Sequence, residues 1–201
     1  MIRVLLGLLV LASLLIGSRV LLPIETVQVV GNTQLKAAAI RSRTGLEAGG
    51  AWLWAWNHTL NGLRHDPWVL AARLERPKLG VVRVVIKERK TIAHLESSQQ
   101  GLGLAADGTL LPNAPLSGPQ IAGDMDFPRA DMVTVVQAFP TAERIRYDRA
   151  GFSVEGPGVK VWGKTAKELQ KIAKGDRIMN GTAGGSKESV FVYSWGVSKR
   201  R

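Results

Sequence analysis

The sequence contains no cysteine. This excludes disulfides, thiolate nucleophiles, Cys-ligated zinc and iron–sulfur clusters. Only three histidines occur, well apart, and they do not suggest a metal site. No GxSxG nucleophile elbow, HExxH zinc helix or Walker GxxxxGK[ST] loop is present. Asp124 and Asp126 stand two apart in a loop-like stretch without an evident third ligand or base. No catalytic, cofactor-binding or metal-binding residue is therefore assigned, no cofactor is expected, and the chain is not read as an enzyme. Two short matches to the glycosylation pattern, at Asn57 and Asn180, carry no weight. Internal repeats are missing, and so is a series of ten-residue strands with aromatic girdles, which argues against a membrane barrel. Acidic residues are the minority, 16 against 27 basic, for a net charge of +11.

What is present is a globular composition in 201 residues, with 45% hydrophobic and 21% charged side chains. That length accommodates one or two domains. Glycine and proline together reach about 15% of the chain, against a usual ~12%, which predicts many turns.

Residues 4–18, VLLGLLVLASLLIGS, carry no charge, and only Arg19 interrupts the 20 residues that end at Pro23. Twenty helical residues span about 30 Å, the thickness of a bilayer core. The uncharged part alone is 15 residues, which is short. A cleaved signal would place bulky Ile16 at the −3 position of a cut after Ser18, and no cysteine follows for a lipoprotein. The preferred reading is an uncleaved single-pass anchor; a cleaved signal and a buried helix are the alternatives. Arg3 before the run and Arg19 after it nearly balance. The N-terminus is placed inside because a very short tail before a large exported region is the simplest geometry. Twenty-five basic and 16 acidic residues then follow Pro23. Such a domain is attracted to anionic lipid or wall polymers, or is merely kept soluble. No basic-aromatic array points to nucleic acid.

From Ile24 onward, ETVQVV reads as a short strand broken by Gly31-Asn32. LKAAAIRSR predicts a helix with Leu35, Ala38 and Ala39 on one face, capped by Thr33 or Asn32. AWLWAWNHTLNGLRH predicts a second amphipathic helix through the spacing of Trp52 or Leu53, Trp56, Leu60 and Leu63. Its tryptophans either pack the core or face lipid, with Trp54 the one expected outside. Asp66-Pro67 stops that helix. WVLAARLER and Val81–Glu88 read as strands around a Pro77–Gly80 turn. Val82, Val84 and Ile86 share one face, while Val81 and Val85 call for extra cover or an edge contact. The order β-α-α-β-β lays two helices on one side of a three-stranded sheet.

Beyond residue 90, Thr91–Glu96 and Leu102–Ala105 are strand candidates, and Asp107-Gly108 signals a hairpin. Asn113–Gly123 reads as loop. Asp126 is a candidate cap for a helix in which Met132, Val135, Val136 and Phe139 share a face, although the β-branched VTVV leaves a strand open. Arg144–Asp148, Gly151–Glu155 and Val159–Trp162 are further strands. Thr165–Glu168 is a capping box opening a helix through Ala173, buried by Leu169 and Ile172. Asn180–Ser186 reads as flexible loop. Glu188–Val197 is a final strand, followed only by a charged tail, and such strands are often sheet edges open to β-addition.

These residues carry a family resemblance. VQVVGN at 27–32, Ile40, Leu46 with Gly49, Leu63, DPWV at 66–69, ARLERP at 72–77 and VVIKER at 84–89 resemble the FtsQ/DivIB bacterial division proteins. DG at 107–108, PLSG at 115–118 and VKVWGK at 159–164 extend the resemblance. It implies an α+β chain: a cytoplasmic tail at 1–3, a transmembrane helix at 4–23, a POTRA domain at 24–90, a mixed β domain at 91–197 with an exposed C-terminal edge strand, and a basic tail at 198–201. Gly31, Asn32, Gly49, Pro67, Trp68, Glu88, Arg89 and Gly163 are its landmark residues. Glu88 and Arg89 can pair with each other or bond to the following turn, or stand as a solvated pair. The resemblance also implies a non-catalytic divisome scaffold in the bacterial inner membrane at the septum, with its bulk outside the cytoplasm, linking early and late division proteins. Its implied partners resemble FtsB and FtsL, with other septal membrane proteins as further candidates, and with neither nucleic acid nor a small-molecule substrate. The corresponding strand holds Val190, Phe191, Val192, Tyr193, Ser194 and Trp195: backbone pairing would give affinity, and Phe191, Tyr193 or Trp195 would give anchors, unless these aromatics only pack the β-domain core. The alternatives are a POTRA-bearing component of barrel assembly or transport, and a basic module that binds cell wall or lipid.

Overall fold

The computed structural model of the chain describes Gly7, Ser13 and residues 17–96, 101–175, 188–193 and 196–200. Most of the apolar run 4–18, the Asn180–Ser186 loop, Ser194 and Trp195 lie outside the described residues. Among the described residues no helix is long and apolar enough to cross a membrane. The chain divides into two compact units, Met1–Arg89 and Lys90–Arg201.

In the first unit the order is β1 (Thr26–Val30), α1 (Ala37–Thr44), two 3-10 turns (Trp52–Trp54 and Asn57–Leu60), α2 (Asn61–Arg64), β2 (Val69–Lys78) and β3 (Val81–Glu88). The sheet order is β1-β3-β2. β1 runs parallel to β3, with Thr26 opposite Val81, and β2 is antiparallel to β3. A parallel pair needs a long crossover, which the helical segment supplies. The alternation in β3 buries Val82, Val84 and Ile86 against Ile40, Leu60 and Leu63.

Several expectations give way here. The long helix over AWLWAWNHTLNGLRH is two 3-10 turns and one short α-helix. Ala51 bridges Pro23, and the Trp52 N–H donates to the Leu22 carbonyl at 3.1 Å, so strand-like pairing captures the start of the segment. Ala55 and Trp56 are extended. Trp56, expected on the buried face, is 51% exposed, more than Trp54 at 43%. Its ring lies instead under the Arg76 guanidinium, 4.2 Å from the ring centre. Ala38 is exposed while Ile40 carries the burial of α1. β2 continues through Pro77, and a register irregularity between Glu75 and Lys78 accommodates the proline.

The second unit contains one nine-stranded sheet. Its strands are β4 (Thr91–Leu95), β5 (Gly103–Ala105), β6 (Leu110–Leu111), β7 (Gln120–Gly123), β8 (Arg144–Asp148), β9 (Gly151–Gly156), β10 (Val159–Gly163), β11 (Glu188–Tyr193) and β12 (Gly196–Arg200). The spatial order is β12-β11-β10-β9-β8-β7-β4-β5-β6. Helices α3 (Arg129–Ala138) and α4 (Ala166–Gly175) contact each other. They share a core with the sheet built around Met132, Val135, Val136, Phe139, Ile145, Val154, Val161 and Leu169.

The VTVV segment is thus helical, its β-branched residues overruled by four apolar positions on one face. Asp126 does not cap α3: Pro128 occupies that place, and Asp124 Oδ1 accepts the Asp126 N–H at 3.0 Å. The expected loop at Asn113–Gly123 ends in β7, wedged between β4 and β8. The Thr165–Glu168 capping box forms reciprocally, at 3.2 and 3.3 Å.

The final segment departs most. The single strand expected over Glu188–Val197 is two. β11 pairs in parallel with β10 on one side and antiparallel with β12 on the other. The edge of the sheet is therefore β12, and Val190–Tyr193 lie one strand inward. Residues 198–200, read as tail, belong to that edge strand.

Candidate partner-binding surfaces

Except for Gly49, the landmark residues of the first unit cluster at the end of β3. Gly31 has φ +85° and packs so tightly that a Cβ there would lie 2.1 Å from the Ile86 carbonyl oxygen. Only glycine fits such a turn off β1. The turn delivers residues 33–35 to the Glu88 carboxylate. Glu88 Oε2 accepts the backbone N–H groups of Thr33 (3.0 Å) and Gln34 (2.8 Å) and the Thr33 hydroxyl, while Oε1 accepts the Leu35 N–H at 2.9 Å. Neither Thr33 nor Asn32 caps α1 through its side-chain oxygen. Asn32 instead donates its amide to the Leu35 carbonyl at 2.8 Å. The anion holds this approach to the helix from 55 residues away in sequence. Burial pushes the Glu88 carboxyl up, but the Thr33 hydroxyl and the Gln34, Leu35 and Thr33 N–H groups outweigh it and hold the pKa below the usual glutamate range.

Arg89 turns to a different stretch. Its Nη1 donates to the carbonyls of Pro67 (2.9 Å) and Val69 (2.6 Å), and its backbone N–H donates to the Trp68 carbonyl at 2.8 Å. The DPWV motif is thereby clamped at the start of β2. Inside it, buried Asp66 accepts the Trp68 N–H at 2.8 Å and pairs with Arg43 on α1. Trp68 is buried. Gly49 donates its N–H to the Ile24 carbonyl at 2.8 Å, which holds the 45–50 loop against the start of the domain. The Arg43–Asp66 pair was not anticipated from sequence, since 23 positions separate the partners.

Residues 22–89 match the family model of the POTRA domain, FtsQ-type. The first unit is an FtsQ-type POTRA domain. The match supports the assignment to the FtsQ/DivIB family made from the VQVVGN, DPWV and VVIKER segments. A search of curated proteins found no match to the chain. An FtsQ-type POTRA domain fits a scaffold role in cell division and suggests protein–protein contacts within the divisome; the family is a non-catalytic one.

In the second unit, Gly163 lets α4 lie close on β10: a Cβ there would come within 2.9 Å of Leu169 Cγ. Beyond β10, the backbone of Val190 pairs with Val161 and Lys199, Phe191 with Trp162 and Ser198, and Val192 with Gly163 and Val197. Tyr193 pairs with Gly196, and Ser194 and Trp195 between them lie outside the described residues. Among the described residues β12 pairs only with β11, so one side of its backbone faces outward at the sheet edge. A signal for this hairpin was present in Gly196, a turn former directly after the aromatic strand. Asp124 Oδ1 accepts the Asp126 N–H, and among the described residues no cluster of three His, Asp or Glu side chains suits a metal ion.

Proposed function

We propose that the chain is a non-catalytic divisome scaffold, held in the bacterial inner membrane by residues 4–23, with residues 24–201 outside the cytoplasm at the septum. It links early and late division proteins and takes up a segment of partners resembling FtsB and FtsL by β-addition. The observation that carries this reading is the FtsQ-type match over residues 22–89. β-Addition draws support from the outward side of β12 at the sheet edge. In this reading Val190–Tyr193 of β11 set the register of β12, and the added strand lies against residues 196–200.

Two experiments test it. Depletion should arrest division, and a tagged copy should gather at the septum of dividing cells. Normal septation with a uniform envelope signal would refute the scaffold role. For the β-addition, proline is placed at Val197 and at Ser198 in turn. Neighbouring strand residues send their N–H groups to opposite sides, so one of the two prolines removes a donor from the outer side. That variant should stay folded and lose capture of the partner segment. Folded variants at both positions that still capture it would sink β-addition here.

A further inference from the structure

Five of the exposed large apolar side chains of the first unit gather at one end of it, while Val30 and Leu70 stand at the other. Leu53 and Trp54 stand at 43% exposure, Trp56 at 51%, Leu79 at 64% and Leu21 at 79%. Isolated exposed hydrophobics are ordinary, whereas a contiguous set marks a surface that meets something apolar. Their end of the domain is fixed by backbone bonds. The stretch 49–54 is zipped along residues 18–24: Gly49 N–H donates to Ile24 O (2.8 Å), Ile24 N–H to Gly50 O (2.7 Å) and Trp52 N–H to Leu22 O (3.1 Å). The Trp54 indole N–H then donates to Ser18 Oγ at 2.9 Å. Leu79 belongs to the same end, because the Gly80 carbonyl next to it accepts the Glu25 and Thr26 N–H groups at 2.7 and 3.1 Å.

Ser18 is the last residue of the uncharged run 4–18. Whatever surface that run enters, Trp54 sits within a hydrogen bond of its exit. We propose that Leu53, Trp54 and Trp56, with Leu21 and Leu79, seat this end of the POTRA domain in the headgroup layer of the phospholipid bilayer. The proposal rests on the reading of residues 4–23 as a membrane anchor. Indole rings favour that depth because they pair an apolar body with one polar N–H. Cationic side chains sit beside them as interfacial residues require: Arg19 is exposed directly after Ser18, and the Arg76 guanidinium lies over both Trp52 and Trp56, at 5.0 and 4.2 Å from the ring centres. Both can reach lipid phosphates. A protein partner is the weaker fit, since the aromatic stretch is tethered at the exit of the anchor and leaves little height for one. Docking on the bilayer would restrict the tilt of the POTRA domain, and so fix the direction in which it presents its other surfaces.

The absence of native cysteine makes the test clean. Full-length chain carrying a single nitroxide, at Leu53→Cys, Leu70→Cys or Gly7→Cys, is reconstituted in nanodiscs of phosphatidylglycerol and phosphatidylcholine. Leu70 is exposed and lies at the opposite end of the sheet, next to Val69, which pairs with Glu88. Relaxation by oxygen and by a water-soluble nickel chelate reports depth. The label at Leu53→Cys should be several-fold less accessible to nickel than the one at Leu70→Cys, with oxygen access raised. Equal nickel access at the two positions, with the Gly7→Cys label in the hydrocarbon, would overturn the docking alone. A water-exposed Gly7→Cys label would overturn the anchor and the docking together.

Discussion

Glu88 is the residue on which a single atom change tests most of the POTRA reading. Glu88→Gln keeps the size of the side chain but removes its charge and turns one acceptor oxygen into a donor. The carboxylate serves three backbone N–H groups and one hydroxyl. An amide can serve only one side of that set, and its NH2 then faces an N–H. Hydrogen bonds to a charged group contribute about 1.5–3 kcal/mol each when buried, and neutral ones about 1. Thr33 and Gln34 are exposed, so water recovers much of what they lose, while Leu35 is half-buried. The cost at pH 7 is therefore about 1 kcal/mol for Glu88→Gln and about 2 for Glu88→Ala, in the range of a lost helix cap. Urea unfolding followed by tryptophan fluorescence would read this, because Trp52, Trp54, Trp56 and Trp68 all lie in this unit. The folded pKa of Glu88 is lowered, so its contribution is present above the unfolded value. It begins to fade as pH drops through about 4.3, the ordinary glutamate pKa, and is gone once pH has passed below the lowered folded value. The gap between wild type and Glu88→Gln should close over that window. A gap absent at pH 7, or unchanged down to pH 3, would refute the account of Glu88 as an anionic brace of residues 33–35.

Gly31→Ala should cost more than about 2 kcal/mol, because the new Cβ meets the Ile86 carbonyl in a left-handed turn; a urea midpoint equal to wild type would contradict it. Gly163→Ala should destabilise the second unit by about 1–3 kcal/mol by pushing Leu169 off β10, read as faster amide exchange in α4. Thr165→Ala removes the hydroxyl that accepts the Glu168 N–H and should cost about 1 kcal/mol, with fraying confined to the first turn of α4. Arg89→Lys cannot span the Pro67 and Val69 carbonyls as the guanidinium does, so amide exchange should rise at residues 68–69 while the β1–β3 pairing stays protected.

What could be read from sequence was what local chemistry decides. Alternating apolar residues at Val82, Val84 and Ile86 placed β3, and the Thr165–Glu168 box opened α4, because both signals lie within a few residues. The misreadings share a different cause. The tryptophan segment has helical spacing, yet Ala51 and Trp52 are drawn into pairing with Leu22 and Pro23, about 30 positions earlier. Thr33 and Asn32 read as helix caps because they stand beside the helix, yet the N-cap is Lys36 without a side-chain bond, and the stretch before it is held by Glu88 from 53 positions away. The last strand was read as ending in a tail because Lys199 and Arg200 look solvated. A sheet edge tolerates and even favours such charges, since they discourage unwanted pairing, so their polarity did not exclude a strand.

The residues that make the family legible are also the ones least able to report a partner. Gly31, Glu88 and Arg89 spend their bonding capacity on the backbone of their own domain: glycine by vacancy, glutamate on residues 33–35, arginine on residues 67–69. Their identities are set by turn geometry and by carbonyl and N–H positions, constraints any user of this sheet must meet. Recognition therefore has to fall on positions those constraints leave free. In the first unit these include exposed Leu53, Trp54 and Trp56, where the proposed contact is with lipid. In the second unit they include the outer side of β12, where backbone groups face outward at the sheet edge. A substitution at Glu88 that abolished partner capture would accordingly act through unfolding and should track the urea midpoint. A proline in β12 that abolished capture should leave that midpoint unmoved. The separation of those two behaviours is what distinguishes a brace from a contact in this fold.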